Sequence, residues 1–330
     1  MSALDLAHAS VRSEPAPHAR VIMAENTNAV VAFSSQAERV EDVFDRGLLA
    51  FTGKASREEA WRSIVSTQDT VGIKVVSGPG ANSGTRPSVV AAAVKGLLAA
   101  GLPPRQIVIW DKHMSDLRRA TFVDLAGRLG IDVASSAEAG YDDKAFYDTA
   151  LLAKQLIWGD HDFGKHTETA GRRSYVSKLI TRRLTKIINV TPLLNHNLAG
   201  VSGNLYTLSM DSVDNTIRFE SSPEYLAQAV PEIYALESLG DKVVLNVVDA
   251  LICQYQGEER SLLHYSTMLG QIRFGTDPVA LDILSIAEIE RQRTAAKIQT
   301  PKPTMKIYSN AALLELGVDK TNRIDVIRAR

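Results

Sequence analysis

The chain has 330 residues, 45% of them apolar and 23% charged, which is enough hydrophobic material for one large α/β domain or two lobes of ordinary size. The formal net charge is −1, and the densest basic cluster (Lys178, Arg182, Arg183, Lys186) reads as a solvated face, which argues against nucleic acid as a partner. The single cysteine, Cys253, excludes an intrachain disulfide framework and an all-thiolate metal site, and no apolar run approaches the ~20 residues of a membrane span.

The first twenty residues show no basic-then-apolar signal pattern, so the sequence as given reads as cytoplasmic. Ala7-His8-Ala9 has the small-x-small form of a cleavage site but no apolar stretch before it. Residues 20–24 and 29–33 read as short strands. Ser35 with Glu38 forms a capping-box pattern ahead of Val40, Val43, Phe44, Leu48 and Phe51 at helical spacing, and Ser56 with Glu59 opens a second helix carrying Trp61. The run 70–76, TVGIKVV, suits a strand covered on both faces. A Gly-rich loop follows at 77–86. Pro87 then starts a helix that runs to Gly101, and 106–111, QIVIWD, is another buried strand. Strand, loop, helix and strand make a parallel, right-handed βαβ unit.

A helix over 116–129, stopped by Gly130, and a short strand at 131–134 extend this half. The second half continues with a strand at 186–190, a loop at 191–197 and a small-residue helix beginning in AGVSGNLYTLS. Ser222-Pro223 starts another helix. Strands at 242–249 and 271–277 follow, the second ending at Asp277-Pro278 before a long amphipathic helix. The expected architecture is α/β, a mostly parallel sheet flanked by helices in two lobes with a cleft between them. An N-terminal lobe would span 20–145, an irregular connection 146–183 and a C-terminal lobe 184–330.

Open parallel sheets gather ligands outside the carboxyl ends of their strands. Asp111, His113, the loop 77–86, Asn195, His196, Asn197, Asp249 and Asp277 all lie at or just after an expected strand end. The loop precedes a helix N-terminus, so its backbone N–H groups, with Asn82, Ser83 and Arg86, could hold substrate. It lacks the Gly-Lys-Ser/Thr of a Walker loop, and Ser83 stands where a dinucleotide fingerprint needs its third glycine. His196, flanked by two asparagines and followed by Ala199, Gly200, Ser202 and Gly203, suits an acid/base or metal-ligand role. Lys74, inside an apolar strand, needs a carboxylate partner, and Asp111 is the natural one. His196, His113 and Asp249 suit a divalent metal by ligand type, without compact spacing. Asp277 fits a helix N-cap, and Cys253 a buried inert thiol.

Lys74, Arg86-Pro87, Trp110-Asp111, His196, Gly200-Val201 and Asp277-Pro278, in order, resemble the family known as domain of unknown function 362. Most of that family has no assigned reaction. Some members look fused to ferredoxin-type iron–sulfur modules, which implies redox chemistry and favours iron if a divalent transition metal is bound. Others carry twin-arginine leaders, which implies that an exported mature form could lie behind this sequence. Two departures stand out. Leu194 replaces a lysine two residues before the histidine, and Tyr206-Thr207 replaces a lysine-asparagine pair, which implies a more neutral or aromatic substrate contacting Tyr206, or loss of the ancestral activity. Thr85-Arg86-Pro87 and the following strand also faintly resemble the N-terminal lobe of lactate racemase, a two-lobed architecture.

The expectation is an enzyme acting on a small organic molecule, with His196, Lys74 and Asp111 in the chemistry and Asn197, Arg86, Ser83, Asn82 and Tyr206 positioning substrate. The alternatives are a nucleotide-dependent enzyme using the Gly-rich loop and Asp111, and a non-catalytic small-molecule binder.

Overall fold

The computed structural model describes residues 18–150, 155–300 and 302–329; the Ala7-His8-Ala9 pattern lies outside them. Strand β1 (Ala19–Glu25) is followed by a small hairpin, β2 (Val30–Val31) and β3 (Ser34–Ser35), and by helices α1 (Ala37–Thr52) and α2 (Arg57–Arg62). The βαβ unit comprises β4 (Val71–Val75), a single helical turn α3 (Gly80–Ser83), α4 (Pro87–Ala99) and β5 (Ile107–Asp111). Next come α5 (Met114–Arg119), α6 (Phe122–Leu129), β6 (Asp132–Ser135) and α7 (Ser136–Ala139), and then a ribbon of β7 (Tyr141–Asp148) with β8 (Arg173–Ser177). The second half holds β9 (Lys186–His196), β10 (Gly200–Val201), α8 (Asn204–Ser212), α9 (Ile217–Glu220) and α10 (Pro223–Tyr234). It finishes with β11 (Val243–Gln254), β12 (Ser266–Gly275), α11 (Pro278–Ala295), α12 (Lys306–Leu313) and β13 (Ile324–Arg328).

One sheet runs β13-β1-β12-β11-β9-β4-β5-β6, with β10 added beside β9. Strands β11, β9, β4, β5 and β6 are mutually parallel, and β12 runs against both its neighbours. The expected α/β class with a mostly parallel, helix-flanked sheet is the one observed. Strands from both sides of 146–183 are hydrogen-bonded neighbours: β4 pairs with β9, Lys74 opposite Asn189. The two halves therefore share one sheet. Helices α1, α2, α4 and α6 cover one face, around Ile73, Ile109 and Val190. Helices α8, α10, α11 and α12 cover the other, around Trp110, Ile187 and Val248. Burial on both faces explains why the inner strands read as continuous apolar runs rather than alternating ones.

Several local expectations differ from the structure. The Ser35 capping box does not form, because Ser35 pairs with Val30 in the hairpin and its hydroxyl accepts from Ser88 instead. Gln36 holds the cap position of α1 without a side-chain capping bond, its amide donating instead to the Ser34 carbonyl. The Ser56 box does form, the Ser56 hydroxyl accepting from the Glu59 amide at 3.2 Å. The helix expected over 116–129 is broken at Thr121, whose φ is +66°. The loop expected at 191–197 is strand, since β9 runs on to His196 beside the long β11. Pro192 is accommodated where the β9–β11 register shifts, a place that does not need its missing N–H. Asp277 sits at the far edge of the sheet from the other candidates, because antiparallel β12 ends beside the start of β11, where Gly275 faces Asn246. It caps α11 through the Ala280 amide and also accepts from the Val318 amide.

The turn between β4 and α4 has no room for a side chain at Gly84, where a Cβ would lie 2.4 Å from the Val76 carbonyl oxygen and 2.8 Å from that of Gly80. Both obstacles are backbone. Gly84→Ala should therefore cost about 1–3 kcal/mol, read as a lower urea midpoint at unchanged slope.

Candidate functional site

Lys74 is wholly buried in β4, where a bare ammonium would be untenable. Its Nζ lies 2.9 Å from Asp111 Oδ1, 2.8 Å from Asp211 Oδ2 and 2.6 Å from the Val75 carbonyl oxygen, with the Trp110 ring centroid at 5.7 Å. Asp111 ends β5, the parallel neighbour of β4, so both side chains emerge at the same sheet edge. The remaining lone pairs of Asp111 are used: Oδ2 accepts from the Ser77 amide (2.7 Å) and hydroxyl (2.5 Å), and Oδ1 from the Lys112 amide (2.8 Å). Asp211 comes from α8 and is less enclosed, its side chain 22% exposed. Its second oxygen, Oδ1, makes no hydrogen bond among the described residues.

These environments push the two acids apart. Burial raises the Asp111 carboxyl, but Lys74 and the Ser77 bonds outweigh that and hold it below the ordinary carboxylate value. Burial also raises Asp211, and repulsion from Asp111 adds to it. Lys74 offsets only part, so Asp211 is pushed up to about 6. Burial works against the Lys74 ammonium, but the two carboxylates prevail and keep it above the usual lysine value. One cation thus serves two carboxylates, and Asp211 carries the surplus charge.

The trio underlies a cavity of about 410 Å³. It is lined by residues at the ends of β4 and β5 (Val76, Gly78, Asp111), by α8 (Tyr206, Thr207, Asp211), and by Tyr141 and Trp158. Six carboxylates border it: Asp111, Asp116, Asp160, Asp211, Glu220 and Glu259. Lys112 is occupied with the Met210 carbonyl and the Thr216 hydroxyl, each at 2.9 Å. Another hollow of about 420 Å³, beside Met114 and Leu179, has charged residues Glu138, Lys178 and Arg183, none of them buried.

Of the residues expected from sequence, Lys74 and Asp111 meet at the cavity, Tyr206 lines it, and His113 stands exposed at its margin. His196 lies behind Tyr206, ring centroids 4.3 Å apart, and is absent from the cavity wall. Its Nδ1 accepts from the amides of Ala199 (3.0 Å) and Leu198 (3.3 Å), and burial lowers its pKa, with Glu258 opposing. The accepted bonds and the burial favour a neutral ring, which packs against Tyr206. Asn197 is exposed, and its amide donates to Glu258.

The Gly-rich loop divides. Ser77 and Gly78 serve the cavity, whereas Ser83 donates to Gln254 Oε1 at 2.6 Å and Asn82 is exposed, its carbonyl accepting from Arg86. Arg86 is buried against Asp249, with amide and Nη1 both 2.9 Å from the carboxylate. That pairing commits both Asp249 oxygens to Arg86. Among the described residues no three His, Cys, Asp or Glu side chains are grouped to hold a metal ion, so His196, His113 and Asp249 do not fit iron or another divalent ion as a set. Asp211 escapes a reading of strand ends because it sits in a helix. The available signal is its position one turn after Thr207, a lone acid in the otherwise uncharged segment NLYTLSMDS.

The family model described as a domain of unknown function (DUF362) matches residues 71–287, about two thirds of the chain, and spans Lys74, Asp111 and Asp211. The chain belongs to this family. No curated protein matches. A crystal structure of a Thermotoga maritima protein, a structural-genomics target, is similar at 9% identity with a TM-score of 0.43. The match covers 80% of this chain and 60% of that one, so the chain spans less than two thirds of that relative. No helix of the described residues is long and apolar enough to cross a membrane.

Proposed function

We propose that this family member is an enzyme that moves a proton on a small organic molecule held in the cavity, with Asp211 as the acid–base group. The carrying observation is the split between two carboxylates on one lysine: Asp111 is held ionised, whereas Asp211, pushed up to about 6, has one oxygen free. A general base works best when its pKa lies near the operating pH, and paired acids driven apart by their surroundings mark the division of labour. Lys74 and Asp111 then set the charge and position of Asp211, Tyr206 supports the substrate, and His196 holds Tyr206 from behind. Metal-dependent redox chemistry, which the family resemblance favours, finds no ligand set among the described residues. The carboxylates around the cavity also repel phosphate groups, which weighs against the nucleotide reading.

The test is substrate-blind. A small-molecule extract is incubated with purified protein and followed by mass spectrometry. Wild type should consume a compound that Asp211→Asn consumes about 10²–10⁴-fold more slowly, with the melting temperature preserved. With Asp211 acting as base, the rate should climb as pH rises through about 6. Turnover undiminished in Asp211→Asn removes it from the chemistry. Binding without consumption by wild type would make the protein a binder.

A further inference from the structure

Charge around the cavity does not balance. Among the described residues, Lys74, Lys112 and Arg119 are the cations bonded to groups of this region, against the six bordering carboxylates. Glu259 shows the consequence. Partial desolvation raises its pKa, and repulsion from Asp116, Asp111, Glu258 and Glu220, all of the same sign, raises it further. Such repulsion is costly in the free protein and is relieved by a bound cation.

Two hydroxyls point to a ligand independently of charge. Tyr141 is 7% exposed and Ser202 4%, and both line the cavity. Neither hydroxyl has a hydrogen-bond partner among the described residues, and neither oxygen is sealed from solvent, so both open onto the cavity. Aromatic surface completes the wall. Tyr141 and Tyr206 lie within it, and Trp158 stands 87% exposed at its edge with Phe163 against it, ring centroids 5.6 Å apart. Ile157 and Ile217, 48% and 43% exposed, extend this apolar rim. A metal ion would need oxygens converging within about 2.0–2.6 Å of one point. These carboxylates encircle a space instead, and no such group exists among the described residues.

We infer that the cavity takes an organic cation, a protonated amine with an apolar or aromatic arm. The ammonium would lie among Asp211, Glu220 and Glu259, and the arm against Trp158 and Ile217, where aromatic faces and carboxylates both attract it. The idea rests on the cavity being the substrate site, as proposed above, and names the class of molecule that enters it.

The experiment is calorimetric titration at low salt with phenethylamine and with 3-phenylpropionate, which carry one aromatic arm with opposite charges. The full chain is compared with Glu220→Gln/Glu259→Gln, two exposed positions whose substitution spares the core. Phenethylamine should bind and 3-phenylpropionate should not, and the double variant should weaken the amine about tenfold. Added salt should weaken it as well. The inference falls if the acid binds as tightly as the amine, if the double variant leaves amine affinity unchanged, or if phenethylamine, tetramethylammonium and spermidine all fail to bind at millimolar concentration. The two proposals separate cleanly. Amine binding with extract turnover that survives Asp211→Asn defeats the acid–base reading alone, whereas an anionic substrate consumed through Asp211 defeats the cation reading alone.

Discussion

Lys74→Met lowers the unfolding free energy by about 3–5 kcal/mol at neutral pH, the expected loss when one partner of a buried ion pair is removed. Methionine fills much of the lysine stem's volume, so the deficit is electrostatic: Asp111 is left 5% exposed and Asp211 partly buried, without their shared cation. The pH dependence identifies the cause. In wild type Asp111 has a folded pKa below its unfolded value, so its contribution is present above the unfolded pKa and fades as acid protonates it. Asp211, with a folded pKa of about 6, already opposes folding as pH rises through that value. Without Lys74 both carboxyls are raised, both favour the folded state when protonated, and the variant's deficit should shrink as pH falls from 7 to 5. Urea titrations at those two pH values measure it. A loss under about 1 kcal/mol at pH 7, the range of solvated surface pairs, would show that water rather than Lys74 neutralises these acids.

That pairing is also the clearest case of what the amino-acid sequence reveals unaided. A lysine in VGIKVV has to find a carboxylate, and the βαβ unit places Asp111 on the adjacent strand at the same edge. Both steps are local, and both agree with the structure. Asp211 is contributed by a helix about a hundred residues after Asp111, and only the tertiary packing of α8 against the sheet brings it to Lys74. His196 fails to reach the cavity for a related reason. Pro192 makes 191–197 look like a loop, yet the length of β11 carries β9 through it, and the imidazole ends behind Tyr206. Strand ends predicted from sequence thus coincide with the edge of the sheet where this cavity lies, but they do not show which side chains turn inward there. Tyr206 and Thr207, by contrast, both reach the wall of the cavity.

The second large effect concerns a pair that sequence reasoning divided between two roles. Arg86 was expected to hold substrate and Asp249 a metal, yet they bind each other, with side chains 4% and 0% exposed. The Asp249 carboxylate accepts from the Arg86 amide and Nη1 and from the Leu251 amide, so it fastens the start of α4 to the middle of β11. Asp249→Ala strands a buried guanidinium and an amide together, and should cost about 3–5 kcal/mol. Arg86→Met/Asp249→Leu removes both charges while keeping apolar volume, and should recover most of that loss, since well-packed apolar replacements of buried pairs are close to neutral. A double-mutant cycle in urea measures the coupling. The functional consequence runs through the loop: Arg86 also donates to the Asn82 carbonyl, and the same loop begins with Ser77, which holds Asp111. If the pair anchors the loop, the double variant should regain stability before it regains ligand binding, because a methionine cannot hold the Asn82 carbonyl in place. Equal recovery of both would confine the pair to a purely structural role. No recovery of stability would show that the charges themselves, rather than their volume, hold α4 against β11.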